Sequence, residues 1–343
     1  MTFPARAPAY VGVPPSSAIW QPVAQFVEAE IQARSGLVGK VEKLAVNAAE
    51  LSGYYRLTCN DESRFFVKVV ADSAVWSLRE ADRIAQWLNS QGILVSYLLD
   101  GFPKCFADGT CVLVYHYIDG EYVAPSERAL KNLGLRLAHL HKAFRELPWE
   151  HEVRRRGLSK HRKLTELLAK VKSGSVAVPS DVAALLIEEV ELDLLDVLLV
   201  DPQVIHGDLN LSNILICTSS DEIAFLDFED TYCAWLSPKA ELSFVLERFA
   251  MSPTDEISLG LARALLGGYF AEYDGQFCNA GASLTNMLRA LSVRSLLTLV
   301  YVHQVGTWSV PAVEWSKFIR SYRQACSRLS LLRSIQEEFT GLN

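Results

Sequence analysis

Apolar residues recur at helical spacing over residues 17–36, where Trp20, Val23, Phe26, Val27 and Ile31 fall on one stripe. The pattern then shortens. Runs at 43–46, 54–59 and 64–70 read as strands, and Asn60-Asp61-Glu62-Ser63 between the last two reads as a hairpin turn. A helix is predicted over 73–90, with Val75, Leu78, Ala81, Ile84 and Leu88 in register and Gly92 just past its end. Strand-like runs follow at 94–98 and 110–117, and Asp119-Gly120 breaks the chain.

Beyond that break the period of 3.6 dominates. Helices are predicted over 126–144, 158–171, 182–199, 257–273, 283–305 and 312–339, with strand-like runs only at 204–216 and 222–228. Strands gathered at one end and helices at the other predict an α+β fold of two parts. One is a small N-terminal lobe, residues 1–117, with an antiparallel sheet, one packed helix and a helical extension. The other is a larger, mainly helical lobe, residues 118–343.

Composition narrows the partners. Half of the 343 residues are hydrophobic, enough for a sizeable core. The net charge of −7 argues against nucleic acid as a partner, because a phosphate backbone attracts basic surfaces. No apolar run is long enough for a membrane span, and the Pro-rich first residues hold no apolar leader, so a soluble, cytoplasmic protein is expected. The seven cysteines are widely spaced, with no CxxC pair, which fits reduced thiols better than a disulfide frame or a zinc site. Residues 154–172 carry eight Lys or Arg and one acid, and residues 181–201 carry seven acids and no base. Two surface helices with complementary faces explain this most simply, and a basic subsite for an anionic substrate is the sharper alternative.

The chemistry concentrates in Ile205-His206-Gly207-Asp208-Leu209-Asn210-Leu211-Ser212-Asn213-Ile214 and in Asp227-Phe228-Glu229-Asp230. Asp227 stands fourteen positions after Asn213, on the far strand of a hairpin that turns at 218–221. The hairpin would bring Asp227 back to Asn213. Hard oxygen donors of this kind suit Mg²⁺, which is held by one or two carboxylates together with substrate phosphates. Asp208, apart from the metal, could then accept a proton from a hydroxyl nucleophile.

The paired segments resemble the H-x-D-x-x-x-x-N and D-F-G elements of eukaryotic-like kinases, and His-Gly-Asp in place of His-Arg-Asp resembles the aminoglycoside phosphotransferase and choline kinase branch. The resemblance implies a protein-kinase-like fold and a division of roles. Asp208 would be catalytic, and Asn213 and Asp227 would hold Mg²⁺. Lys68, on the third predicted strand, would neutralise the phosphates of ATP, with Glu80 of the following helix as its partner. The nucleotide lid would lie over 47–53, with Ser52 and Gly53 near the phosphates, and the hinge that binds adenine would fall at His116, Tyr117 and Ile118.

Leu133-Gly134-Leu135-Arg136-Leu137-Ala138-His139-Leu140-His141 resembles the family's L-G-x-x-L-A-x-L-H helix, with Leu133, Leu137 and Leu140 as core and His141 as a packed, hydrogen-bonded residue. His206 is expected to hold backbone shape beside Asp208. Two departures stand out: Glu241 replaces the Asp of the family's G-D-P-x-x-D-L, and Glu229 replaces the Gly of D-F-G.

The implied activity is ATP- and Mg²⁺-dependent transfer of a phosphoryl group to a hydroxyl of a small molecule. The acceptor is open among aminoglycosides, amino alcohols, sugars and amino acids, and the oligomeric state is open too. A pseudokinase that binds nucleotide without turnover is the main alternative, opposed by the presence of Lys68, Asp208, Asn213 and Asp227. A protein kinase is the third, opposed by the missing Gly-rich loop and A-P-E segment.

Overall fold

The computed structural model describes residues 39–46, 53–71, 74–107, 109–218, 220–251, 257–273, 283–305 and 310–340. The helix predicted over 17–36, the lid residues 47–52 and Ser52 among them lie outside the described residues. The chain forms two compact units, Met1–Glu121 with Leu215–Glu229 and Tyr122–Ile214 with Asp230–Asn343.

The first unit is built on an antiparallel sheet. Strands β1 (Gly39–Val46), β2 (Gly53–Cys59), β3 (Arg64–Ala71), β4 (Lys104–Cys105) and β5 (Thr110–His116) are ordered β1-β2-β3-β5-β4. The β2–β3 turn is the predicted one. The Asp61 carboxylate accepts from the Ser63 amide at 3.1 Å, and Glu62 takes a positive φ of 66°. Alternation along β3 sends Val67 and Val69 to one face, with Tyr55, Leu57, Val112 and Val114. Val70 goes to the other face, with Leu113 and with Leu78 of helix α1 (Val75–Ser90).

The run 94–98 is not a strand of this sheet. It makes single bridges, Val95 to Phe225 and Leu98 to Tyr115, and the Leu98 amide donates to the buried Asp82 carboxylate of α1 at 2.6 Å. The hairpin 215–229 belongs to this unit. Its strands β8 (Ile214–Cys217) and β9 (Ile223–Phe225) extend a small sheet begun by β6 (Gly120–Tyr122).

Antiparallel pairing sets Cys105 opposite Cys111, and the two form a disulfide. This corrects the reading of every cysteine as a reduced thiol. A pair six residues apart carries no sequence signature until strand register brings it together. Cys59, Cys217, Cys233 and Cys326 are free thiols.

The second unit is mainly helical. It comprises α2 (Glu127–Arg145), α3 (Glu150–Lys172), α4 (Ser180–Ala184), α5 (Pro238–Ala250), α6 (Leu259–Phe270), α7 (Leu284–Val305), α8 (Ala312–Ser327) and α9 (Leu329–Glu338). Its short strands β7 (Gln203–Val204) and β10 (Trp235–Leu236) pair antiparallel. One core cluster among the described residues joins α3, α7, α8 and the turns at 185–199 through Leu168, Leu186, Leu195, Met287, Leu297 and Tyr322. Among the described residues no helix is long and apolar enough to cross a membrane.

Two predicted helices are interrupted and one was missed. The run 182–199 is helical to Ala184, forms a π turn over Leu185–Glu189, becomes extended at Val190 and resumes as a 3₁₀ turn over Leu194–Leu199. The Glu189 carbonyl, which a continuous helix would use internally, accepts the Tyr322 hydroxyl of α8 at 2.8 Å. The run 312–339 breaks at Arg328, where φ is −101° and ψ is 14°. Helix α5 is buried nearly all round, so no polar stripe marks its period.

Candidate active site

The loop around Asp208 is held almost entirely by its own unit. Strand β7 delivers Ile205, whose amide donates to the Ala234 carbonyl at 3.0 Å. His206 follows, fully buried, and its carbonyl accepts the Thr231 hydroxyl at 2.8 Å. Its ring Nδ1 accepts from the Asp208 amide at 3.3 Å, so the histidine shapes the turn on which Asp208 rides. Gly207 has φ of 91°, and a Cβ there would lie 2.8 Å from the Ala234 Cβ, so both conformation and space call for glycine.

Beneath this turn lies Glu241. Its two oxygens accept from the His206 amide at 3.0 Å, the Gly207 amide at 2.6 Å and His141 Nε2 at 2.9 Å. Nδ1 of the same ring lies 2.8 Å from the Tyr269 hydroxyl, so His141 bridges Glu241 and Tyr269. Burial alone would push the Glu241 carboxyl up. The bond and charge of His141, the charge of His206 and the Gly207 amide outweigh it and hold the group below the ordinary range. The glutamate that replaces the family aspartate is therefore a backbone anchor, and Leu133, Leu137, Leu140 and His141 are buried as the motif implies.

Asp208 and Asn213 are drawn together within the loop. Asn210 caps the short 3₁₀ turn Leu211–Asn213 through its side chain, which accepts from the Ser212 amide at 2.9 Å. That turn aims the Asn213 amide group at Asp208, donating to its carbonyl at 2.8 Å and to its carboxylate at 3.3 Å. Asn210 donates to the same carboxylate at 2.9 Å. Both of these amide N–H groups point at Asp208, and the Asn213 side-chain oxygen accepts from the Ser212 hydroxyl at 3.4 Å.

The first unit carries a second cluster. On β3, Lys68 stands opposite Tyr54 of β2 and Leu113 of β5. It is 8% exposed, and its ammonium lies 5.4 Å from the Tyr54 ring centroid. Its carboxylate partner is Glu229. Glu80, the partner expected from the sequence, is half-buried on α1. The family glycine has no side chain to offer here, whereas Glu229 places a carboxylate two residues past Asp227 on a chain turned by the positive φ of Asp227, 62°. Burial pushes the Lys68 ammonium down, and the charge of Asp227 opposes that shift, so the lysine and this aspartate act on each other. Asp227 is exposed.

The hinge segment is partly committed. The His116 amide donates to the Tyr97 carbonyl at 3.0 Å, and its carbonyl accepts the Ser96 hydroxyl at 2.8 Å. Tyr117 and Ile118, the other two residues of the bracket, follow the end of β5. Tyr117 also receives the Arg64 guanidinium, 5.5 Å from its ring centroid. Gly53 opens β2 and pairs with Val69. Among the described residues no group of three or more His, Cys, Asp or Glu could hold a metal by itself. Of the two expected magnesium ligands, Asn213 belongs to the helical unit and Asp227 to the sheet-bearing one.

A model of the phosphotransferase enzyme family matches residues 44–275, well over half of the chain. The chain belongs to this family. Comparison with curated proteins finds no match. Among solved structures, it is similar to amicoumacin kinase hAmiN in complex with AMP-PNP, Ca²⁺ and Ami, at TM-score 0.57 and 17% identity, covering 91% of this chain and 95% of that one. It is similar to the GDP complex of wild-type aminoglycoside 2'-phosphotransferase-IIIa, at TM-score 0.58 and 14% identity over 89% and 99% of the two chains. It is similar also to macrolide 2'-phosphotransferase type I, at TM-score 0.54 and 16% identity over 88% and 97%. At these identities the likeness is one of fold, the kinase-like α+β fold that the motifs imply. The feature of this family member that motif reading missed is the Lys68–Glu229 pair. Its one signal was an acidic residue where the family has glycine.

Proposed function

We propose that this family member transfers the γ-phosphoryl group of ATP, with Mg²⁺, to a hydroxyl of a small molecule. The observation that carries the reading is the Asp208 loop. A buried carboxylate fixes its backbone, and two side-chain amides, Asn210 and Asn213, orient the Asp208 carboxylate. Asp208 would accept the proton of the acceptor hydroxyl as the new O–P bond forms and the bond to the ADP oxygen breaks. Asn213 and Asp227 would hold the magnesium, which when bound draws charge from the phosphates. Lys68, released from Glu229, would meet the phosphates, and Tyr117 and Ile118 would offer main-chain groups to the base. Positioning and charge neutralisation would then supply most of the acceleration. The solved relatives named as kinases or phosphotransferases of amicoumacin, aminoglycosides and macrolides support a small acceptor.

The test is metal-dependent ADP release in wild type and Asp208→Ala, with and without a panel of hydroxyl compounds. Acceptor-stimulated release in wild type, lost by more than about a thousandfold in Asp208→Ala with nucleotide binding retained, supports the proposal. An Asp208→Ala protein with full turnover refutes it. Nucleotide binding without any release would make the protein a pseudokinase, and phosphate on added polypeptide a protein kinase.

A further inference from the structure

Helix α3 carries the basic run, and its period decides where those charges point. Its inner side holds the buried Val153, Gly157, Leu164, Leu168 and Val171. That side rests on β10, where a Cβ on Gly157 would lie 2.4 Å from the Trp235 Cβ. At about 100° per residue, Arg155, Arg162, Glu166 and Lys170 fall on the opposite side, with Lys163 beside them, and all five are exposed. The outer stripe of α3 therefore presents four cations and one carboxylate. From Arg155 to Lys170 it extends about 22 Å at the helical rise of about 1.5 Å per residue.

The acidic run lies alongside. Lys172 Nζ donates to the Ile187 carbonyl at 2.9 Å, and the Asp196 carboxylate meets His161 Nε2 at 3.0 Å. The segment 187–196 thus runs antiparallel to α3, beside its last three turns. Glu189 and Glu191 turn to Arg323 and Arg289 of the neighbouring helices, at 3.5 Å and 2.8 Å. Glu188 and Asp193 are exposed, and so are two aliphatic side chains between them and at their flank, Leu192 at 53% and Ile187 at 44%. The second unit therefore carries two ridges of opposite sign side by side, and the acidic one includes an apolar patch.

This pattern selects its partner. A polyanion laid on the cations of α3 would meet the carboxylates of the second ridge within a Debye length of about 8–10 Å, and a polycation would meet the arginines in the same way. The surface that matches two adjacent stripes of opposite sign is the same surface turned over. A two-fold axis parallel to α3 sets the basic ridge of each copy on the acidic ridge of the other, and it covers Leu192 and Ile187 in the same contact. We propose that this face is a self-complementary interface through which two copies of the chain pair. The axis preserves position along the helix, so Lys170 of one copy meets Glu188 of the other, and Arg162 and Lys163 meet Asp193. Two ridges about 10 Å wide and about 22 Å long lie at the low end of stable interfaces, so the dimer is weak, with a micromolar Kd, and sensitive to salt. The pairing does not depend on the phosphotransferase reading.

The test is a charge-swap experiment on the full chain, read by analytical ultracentrifugation over a range of protein concentrations. One variant is Arg162→Glu with Lys163→Glu, which makes both ridges acidic. The other is Glu188→Lys with Asp193→Lys, which makes both basic. All four positions are exposed, and an unchanged unfolding midpoint verifies that each variant folds. Wild type should dimerise with a Kd that rises about tenfold or more between about 0.05 M and about 0.5 M NaCl. Each variant alone should pair at least about tenfold more weakly than wild type, and an equimolar mixture of the two should recover pairing to within about threefold, because both contacts of the mixed dimer are again of opposite sign. A wild-type chain that stays monomeric up to about 0.5 mM overturns the proposal. So does a dimer that both variants form as tightly as wild type, or a mixture that fails to recover. Saturable binding of monomeric wild type to polyuridylate or to phosphatidylserine vesicles, lost in the Arg162 and Lys163 variant, would assign the basic ridge to an external polyanion and overturn it as well.

Discussion

Replacing Glu241 with alanine removes one buried carboxylate and strands three donors at once. The side chain is 2% exposed and accepts from the His206 and Gly207 amides and from His141. A buried donor left without an acceptor costs about 1–3 kcal/mol, and breaking a buried ionic or strongly polar group by removing one partner costs about 3–5 kcal/mol. The three donors are adjacent, so one water entering the vacated space would satisfy part of the loss, and about 3–5 kcal/mol is the net destabilisation expected. For a unit the size of the helical one, each kcal/mol moves the midpoint by about 2–4 °C, so Tm should fall by roughly 6–20 °C. Glu241→Gln keeps one acceptor oxygen and should lose less. The assay is thermal unfolding followed by circular dichroism at neutral pH, repeated down to mildly acid pH. The sign of the pH effect follows from the depressed carboxyl. Its stabilisation is present in full above the ordinary glutamate value, near pH 4.3, and is lost as the pH falls through its lower folded value. The gap between wild type and Glu241→Ala should therefore narrow in acid. A neutral-pH Tm within about 2 °C of wild type, or a gap that widens in acid, would refute the anchoring role.

The remaining predictions bear on single contacts. Glu229→Gln frees Lys68 from its carboxylate, and because Glu229 is 39% exposed the gain is modest: nucleotide Kd should fall about two- to fivefold by calorimetry, and an unchanged or weaker Kd would show that Glu229 instead holds the lysine in place. Gly207→Ala puts a Cβ at positive φ against Ala234, so kcat should drop by a factor of about ten or more, with Tm lowered by several degrees; wild-type kinetics would show that the turn is not constrained. Gly157→Ala should separate α3 from β10 and destabilise by about 1–3 kcal/mol in denaturant titrations, and a neutral result would contradict the close packing there.

Much of the site could be read in the chain itself because its parts are local. His206, Asp208 and Asn213 lie within eight positions, so one turn carries their geometry, and its hydrogen bonds run between residues two and five apart. The alternation of β3 likewise puts Lys68 on a defined face of a strand with predictable ends. Glu229 was visible only as an acid in a glycine's place. Its union with Lys68 spans 161 positions, and Glu80, close in sequence, drew the expectation instead. The disulfide, the break at Val190 and helix α5 share the same cause: strand register, a hydroxyl from α8 and burial on all sides are properties of neighbours that no local period encodes.

By itself, the sequence determined the α+β division, the strand-turn-strand unit around Lys68 and the identity of the Asp208 loop, because periodicity and short-range turn chemistry act within a few residues. Tertiary structure alone decided that Glu241 anchors that loop, that Glu229 meets Lys68 and that the basic helix lies on the segment beside Asp208. Those outcomes depend on which distant groups are desolvated together, and burial makes the pairing of charges and donors obligatory only once the chain has closed around them.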